Sequence, residues 1–168
     1  MVARETRVDY YKAWLTVQNS ARTVVKLSER NIAKVGISLG EFHVLRTLVE
    51  SGACPMVDLA KEQFISPPAL TSIVDNLEKQ GLVERERSED DRRIINIKIT
   101  NKGEKLFARA HPLYKQFFEE VMGVLTKQEI SILLTMFDKL SKSAQMYPTE
   151  DNNIAVARRR NVRTLSLK

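Results

Sequence analysis

The sequence predicts a fold that is mainly α with a small β-hairpin wing: two short helices and a hairpin with a charged tip, framed by longer helices. Three observations carry this. Between Met56 and Thr100 the apolar period changes from helical to two-residue. Leu70, Ile73, Val74 and Leu77 recur at i, i+3, i+4 and i+7, which makes one helical stripe. Then Val83, Arg85 and Arg87 alternate with Leu82, Glu84 and Glu86, and Ile95, Ile97 and Ile99 alternate with Asn96, Lys98 and Thr100, the mark of half-buried strands. The residues between, 88–93, contain no glycine and no apolar group, so they form a polar loop too long for a two-residue turn. Helix, turn, helix and hairpin in this order make a winged helix-turn-helix. The second helix has the size to enter a DNA major groove, about 12 Å wide.

Each element follows from local chemistry. Residues 5–34 read as a long first helix in which Tyr10, Trp14, Val17, Ala21 and Val24 form one apolar line and Leu15, Val25 and Ile32 a second. A helix apolar on two sides needs cover on two sides; one cover is its own domain, and a second subunit is a candidate for the other. Gly36 ends it. Ser38 and Glu41 make a capping box for a helix that buries Phe42, Leu45, Leu48 and Val49 and stops at Ser51-Gly52. Pro55 precedes a short helix with Val57, Leu59 and Ala60, and Phe64 and Ile65 are expected to pack the turn. Ser66-Pro67-Pro68 opens the second helix of the pair, since proline suits a first turn. Gly81 ends that helix. Thr100 caps the next helix, which runs to about Val124 with Leu106, Leu113, Phe117 and Val121; Pro112 is expected to kink it. Thr126 and Glu129 form a second capping box. The last helix carries Ile130, Leu133, Leu134, Phe137, Leu140 and Ala144, and ends before Tyr147-Pro148.

Charge narrows the function without deciding it. The chain of 168 residues is long enough for one substantial core. Its net charge of +6 suits a polyanionic partner. The charge is uneven. Residues 147–168 hold Arg158, Arg159, Arg160, Arg163 and Lys168 against Glu150 and Asp151, a net of +3, which leaves +3 for residues 1–146. Residues 149–168 have no clear period, and 147–168 read as a basic flexible tail. No apolar run is long enough to span a membrane, and no signal-peptide pattern opens the chain, so a cytoplasmic protein is expected. One cysteine and two histidines, far apart, give no zinc pattern. No nucleophile triad, phosphate loop or metal cluster is present, so we expect no enzyme, no metal and no cofactor.

The candidate nucleic-acid contacts lie on the polar face opposite the Leu70 stripe. Pro68, Ser72, Asp75 and Lys79 lie on it, with Thr71 at its flank. The side chains are mostly short, so this face can approach another polar surface closely. Two prolines remove amides that could hold a phosphate, which shifts phosphate contact to Ser66, Thr71 or Lys79. Arg85, Arg92 and Arg93 are the candidate wing contacts, with Asp91 orienting a guanidinium.

The run "LVERERSEDDRRIINIKITNKG", residues 82–103, resembles the wing and following helix start of MarR-type transcriptional regulators. Asp91-Arg92-Arg93 and the Ile-Thr-x-x-Gly of Ile99, Thr100 and Gly103 carry the resemblance. The run "MVDLAKEQFISPPALTSIVDNLEKQG" is similar to that family's helix-turn-helix. The likeness spans roughly residues 8–146 by element order. It implies a homodimer on double-stranded DNA. Residues 5–35 and 101–146 would form the helical dimerisation region, residues 36–100 the DNA-binding domain, and residues 147–168 the tail. It also implies repression by promoter occlusion, and release by a small phenolic or other aromatic effector. The lining would come from the first two helices: Arg22, Leu39 and His43.

Other readings of the same residues stand beside this one. A winged helix can dock proteins, and a basic tail can serve an architectural, low-specificity DNA binder. Cys54 is a candidate thiol redox sensor, although no neighbouring cation in sequence lowers its pKa.

Overall fold

The computed structural model describes residues 8–87 and 94–147. The tip residues 88–93 and the tail from residue 148 lie outside the described residues. The elements are α1 (Tyr10–Ala33), α2 (Leu39–Ser51), β1 (Cys54–Pro55), α3 (Met56–Glu62), α4 (Pro67–Lys79), β2 (Val83–Arg87), β3 (Ile95–Ile99), α5 (Asn101–Met122) and α6 (Lys127–Gln145). The chain divides into two compact units, Met1–Met122 and Gly123–Lys168, each described by itself.

The first unit is built around α2 and the stripe of α4. Phe42, Val44, Leu45 and Leu48 of α2 meet Leu70, Val74 and Leu77 of α4, Leu59 of α3, Val83 of β2 and Ile97 of β3 in one core. Ile32 closes it from the end of α1, and Phe107 and Ala110 from α5. The Ser38 capping box forms as expected: the Ser38 amide donates to Glu41 Oε2 at 2.7 Å, and the Glu41 amide donates to Ser38 Oγ at 3.2 Å. Val44 and Phe107, outside the expected stripes, are buried, whereas Val49 is exposed at the end of α2. The first helix begins at Tyr10, where Asp9 caps it by accepting from the Lys12 amide at 2.9 Å; residues 5–7 of the expected span lie outside the described residues.

The sheet has three strands rather than a two-stranded hairpin, in the order β1-β3-β2, all antiparallel. Cys54 pairs with Ile97 and Pro55 with Asn96. Cys54 therefore lies in a strand and not in a free turn. The hairpin register sets Val83 opposite Ile99, Arg85 opposite Ile97 and Arg87 opposite Ile95.

Two apolar side chains of the helix-turn-helix point outward, against expectation. Phe64 adopts φ 52 and is 96% exposed. A left-handed residue turns its Cβ away from the turn's inner side, so this phenylalanine does not pack it. Val57 is likewise exposed, while Leu59 and Ala60 are buried. Helix α5 runs unbroken through Pro112 to Met122.

The second unit is described from Gly123 to Tyr147. Thr126 and Glu129 form the expected capping box on α6. No residue of α6 is buried.

Candidate nucleic-acid interface

Helix α4 begins at Pro67, with Ser66 at its N-cap position in extended geometry and without a side-chain capping bond. Ser66, Pro68, Thr71, Ser72 and Lys79 are all exposed, and Leu70, Val74 and Leu77 are fully buried. The sequence pattern thus separates the two faces as drawn. The hydroxyls are already engaged. Thr71 Oγ1 donates to the Pro67 carbonyl at 2.9 Å, and Ser72 Oγ donates to the Pro68 carbonyl at 3.2 Å. In this rotamer they present lone pairs outward. They can accept from a base amine, and must rotate to donate to a phosphate.

Asp75 and Arg85 are not independent surface charges. An Arg85 guanidinium nitrogen lies 2.6 Å from Asp75 Oδ1, and the other terminal nitrogen pairs with Glu78. The hydrogen bond that Arg85 donates to Asp75, and then the charge of Glu78, raise the Arg85 pKa further. Glu78 was not among the expected residues. Its spacing of three from Asp75 puts both carboxylates on one helix face, and that was the signal available. On the other face of β2, Lys98 reaches Glu86 at 3.0 Å and Glu84 at 3.9 Å. Asp91, Arg92 and Arg93 lie outside the described residues.

The base of the wing is tied to α5 by the Ile-Thr-x-x-Gly segment. The Thr100 amide donates to the Leu82 carbonyl at 3.1 Å, and Thr100 Oγ1 donates to the Gly81 carbonyl at 2.8 Å. The same hydroxyl accepts from the Gly103 amide at 3.1 Å, so it also caps α5.

The three expected effector residues differ in exposure. Arg22 is exposed on α1, Leu39 packs against the core, and His43 is half-buried on α2. The His43 ring meets Phe42 and Tyr114 edge-on, with centroids 5.8 Å and 5.9 Å away. Its pKa is lowered, first by burial and then by Arg46. Arg46 is the cation that acts on both His43 and Tyr114, a partner the sequence pattern did not single out. Its Nε is buried without a hydrogen-bond partner and lies 4.0 Å from Glu50.

Burial raises the Cys54 pKa, and Asp58 and Glu62 raise it further. A thiol held protonated is a poor oxidant sensor. Among the described residues no group of histidine, cysteine and carboxylate side chains could hold a metal ion. No described helix is long and apolar enough to cross a membrane.

The core-backed α4 with its exposed polar face, and the sheet beside it, define a winged helix-turn-helix transcriptional regulator. The MarR family model matches residues 37–95. The regulator BilQ of Clostridium symbiosum is 30% identical over 116 residues, covering 69% of this chain and 81% of its own. The homoprotocatechuate degradative operon repressor of Escherichia coli is 30% identical over 115 residues, covering 67% and 78%. In fold, the chain matches a mutant of MarR from Escherichia coli complexed with operator DNA, with TM-score 0.68 and 23% identity, covering 79% of this chain and 99% of that one. The chain belongs to the MarR family of helix-turn-helix transcriptional regulators.

Proposed function

We propose that this regulator is a sequence-specific repressor that acts as a homodimer on a pseudo-palindromic site. The observation that carries the reading is the exposed face of α4: Ser66, Pro68, Thr71, Ser72 and Lys79 stand clear of a fully buried Leu70, Val74 and Leu77. A rigidly backed helix with short polar side chains is what a major groove admits. Two-fold symmetry sets the half-site centres about 10 bp apart, or a multiple of that. Arg92 and Arg93, steered by Asp91, reach the adjacent minor groove or backbone. The relative that represses an operon supports repression, and a protein of the same fold is complexed with operator DNA.

Release by an aromatic acid is part of this reading. Homoprotocatechuate, in the name of one relative, is such an acid. Here the surroundings of His43 favour it, because the half-buried His43 and Tyr114 rings stand near Arg46, whose buried Nε lacks an acceptor. Arg46, beside His43, is the better carboxylate partner than Arg22.

Selection of bound duplexes from a random pool, with wild type and Arg93→Ala in parallel, tests the reading. Wild type is expected to return an inverted repeat with fixed spacing, which Arg93→Ala binds much more weakly. A wild-type pool with no repeat would sink the specific-regulator reading and leave an architectural or protein-docking role.

A further inference from the structure

We infer that Arg85 is a positioning residue: it locks the recognition helix α4 to strand β2 through Asp75 and Glu78, so that helix and wing meet DNA as one rigid piece. The inference rests on the DNA-binding reading above and deepens it. Arg85 sits at the middle of β2, opposite Ile97, which is fully buried in the core. Its backbone is therefore anchored on the sheet while its guanidinium is anchored on α4. Asp75 and Glu78 are three residues apart on one side of that helix, and the planar fork takes one with each terminal nitrogen. An isolated exposed pair would contribute little, but a forked guanidinium that is only 27% exposed and held by two carboxylates escapes that rule.

Charge arithmetic separates this role from phosphate contact. Two carboxylates and one guanidinium sum to −1, so the cluster has no free cation to offer a phosphate. Removing Arg85 would leave two unneutralised carboxylates beside Ser72 and Lys79, on the face that must approach a polyanion. It would also release the base of the wing from α4. On the opposite face of β2 the Lys98 bridge to Glu84 and Glu86 joins strand to strand and cannot replace a link to the helix.

The test is a double-mutant cycle on the full chain with Arg85→Gln, Asp75→Asn and the pair, each checked for wild-type circular dichroism. Affinity for the selected duplex is measured across salt concentrations. The clamp predicts that each single change weakens binding roughly tenfold and that the pair is no weaker than the worse single, because contacting residues do not add. It also predicts an unchanged salt slope. A phosphate contact predicts that Arg85→Gln lowers the slope by about 0.9 and that Asp75→Asn leaves binding equal or tighter; that outcome overturns the clamp. Amide exchange without DNA keeps the two readings apart. Faster exchange over residues 83–87 and 95–99 in both single variants supports the clamp, and unchanged exchange overturns it, even if wild type proves to select no duplex.

Discussion

Gly103 passes so close to Leu82 that a Cβ built on it would lie 2.1 Å from the Leu82 carbonyl oxygen and 2.7 Å from Ile99 Cγ1. The obstacle is backbone, so it cannot swing aside. This contact is what lets Thr100 bond Gly81 with its hydroxyl and Leu82 with its amide while starting α5. Gly103→Ala is expected to cost about 3 kcal/mol, the upper range for forcing atoms into a packed site. Gly81→Ala is the comparison: φ is 70 there but nothing lies within 4 Å, so left-handed strain alone should cost about 1–2 kcal/mol. Urea unfolding of both variants checks the order, and equal losses would refute the steric account.

The same segment shows what the sequence could and could not convey. Capping boxes at Ser38 and Thr126, the stripe of α4 and the alternation of β2 and β3 are local patterns, and they were readable because local spacing determines them. The close approach of Gly103 to Leu82 is a contact across 21 positions in sequence, and no spacing rule reveals it. Strand β1 leaves no sequence signal, because Cys54-Pro55 is too short to show alternation. The Arg85 fork was missed because its partners lie on another element, seven and ten residues back. Phe64 was misplaced because a hydrophobic side chain suggests burial, whereas φ 52 aims it outward.

That misplacement is itself testable. Phe64→Gly removes a large apolar side chain that packs against almost nothing and relieves a left-handed residue. Offsetting this, glycine enlarges the freedom of the unfolded chain. The expected stability is within about 0.5 kcal/mol of wild type, as for surface changes in general. A loss typical of core phenylalanines, about 3–5 kcal/mol, would show that Phe64 packs after all.

Thr47 ties the first helix of the pair to the core. It is fully buried on α2, its hydroxyl donates to Glu62 Oε1 at 2.9 Å, and it accepts from Gln63 Nε2 at 3.0 Å. Thr47→Val keeps the shape and removes both bonds. A loss of about 1–3 kcal/mol is expected, since Gln63 and Glu62 lose a partner at a partly buried site. The thermal midpoint should fall by about 2–4 °C per kcal/mol for a chain of this size.

His43 makes stability depend on pH with a definite sign. Burial first, then Arg46, hold its folded pKa below the ordinary 6.5. The unfolded chain therefore takes up its proton first as pH falls. The contribution of neutral His43 is complete above about 6.5 and is lost as pH drops below that value toward the folded pKa. His43→Phe keeps a ring against Phe42 and Tyr114 and removes the titration. Urea midpoints at pH 8 and pH 5 should fall further for wild type than for the variant. Parallel declines would show that His43 contributes no pH dependence.

Helix α6 tests the dimer. Leu134 is 66% exposed, and Ile132, Met136, Phe137 and Leu140 are exposed with it on a helix that has no buried residue. Helix α1 shows a comparable excess: Tyr10, Trp14, Leu15 and Val25 are all exposed. A stable monomer rarely presents so much apolar surface on a helix, and in the proposed dimer a second copy would cover it. Leu134→Glu with Phe137→Glu would place two carboxylates in that cover, where burial without a partner is costly. Sedimentation at micromolar concentration should give a dimer for wild type and a monomer for the variant. The variant should also lose most affinity for an inverted repeat, because one subunit reaches only one half-site. Its residual binding to a single half-site should match that of one wild-type subunit, since α4 and the wing belong to the other compact unit. A monomeric wild type would remove the two-fold argument. Wild-type affinity in a monomeric variant would show that the repeat is read without dimerisation.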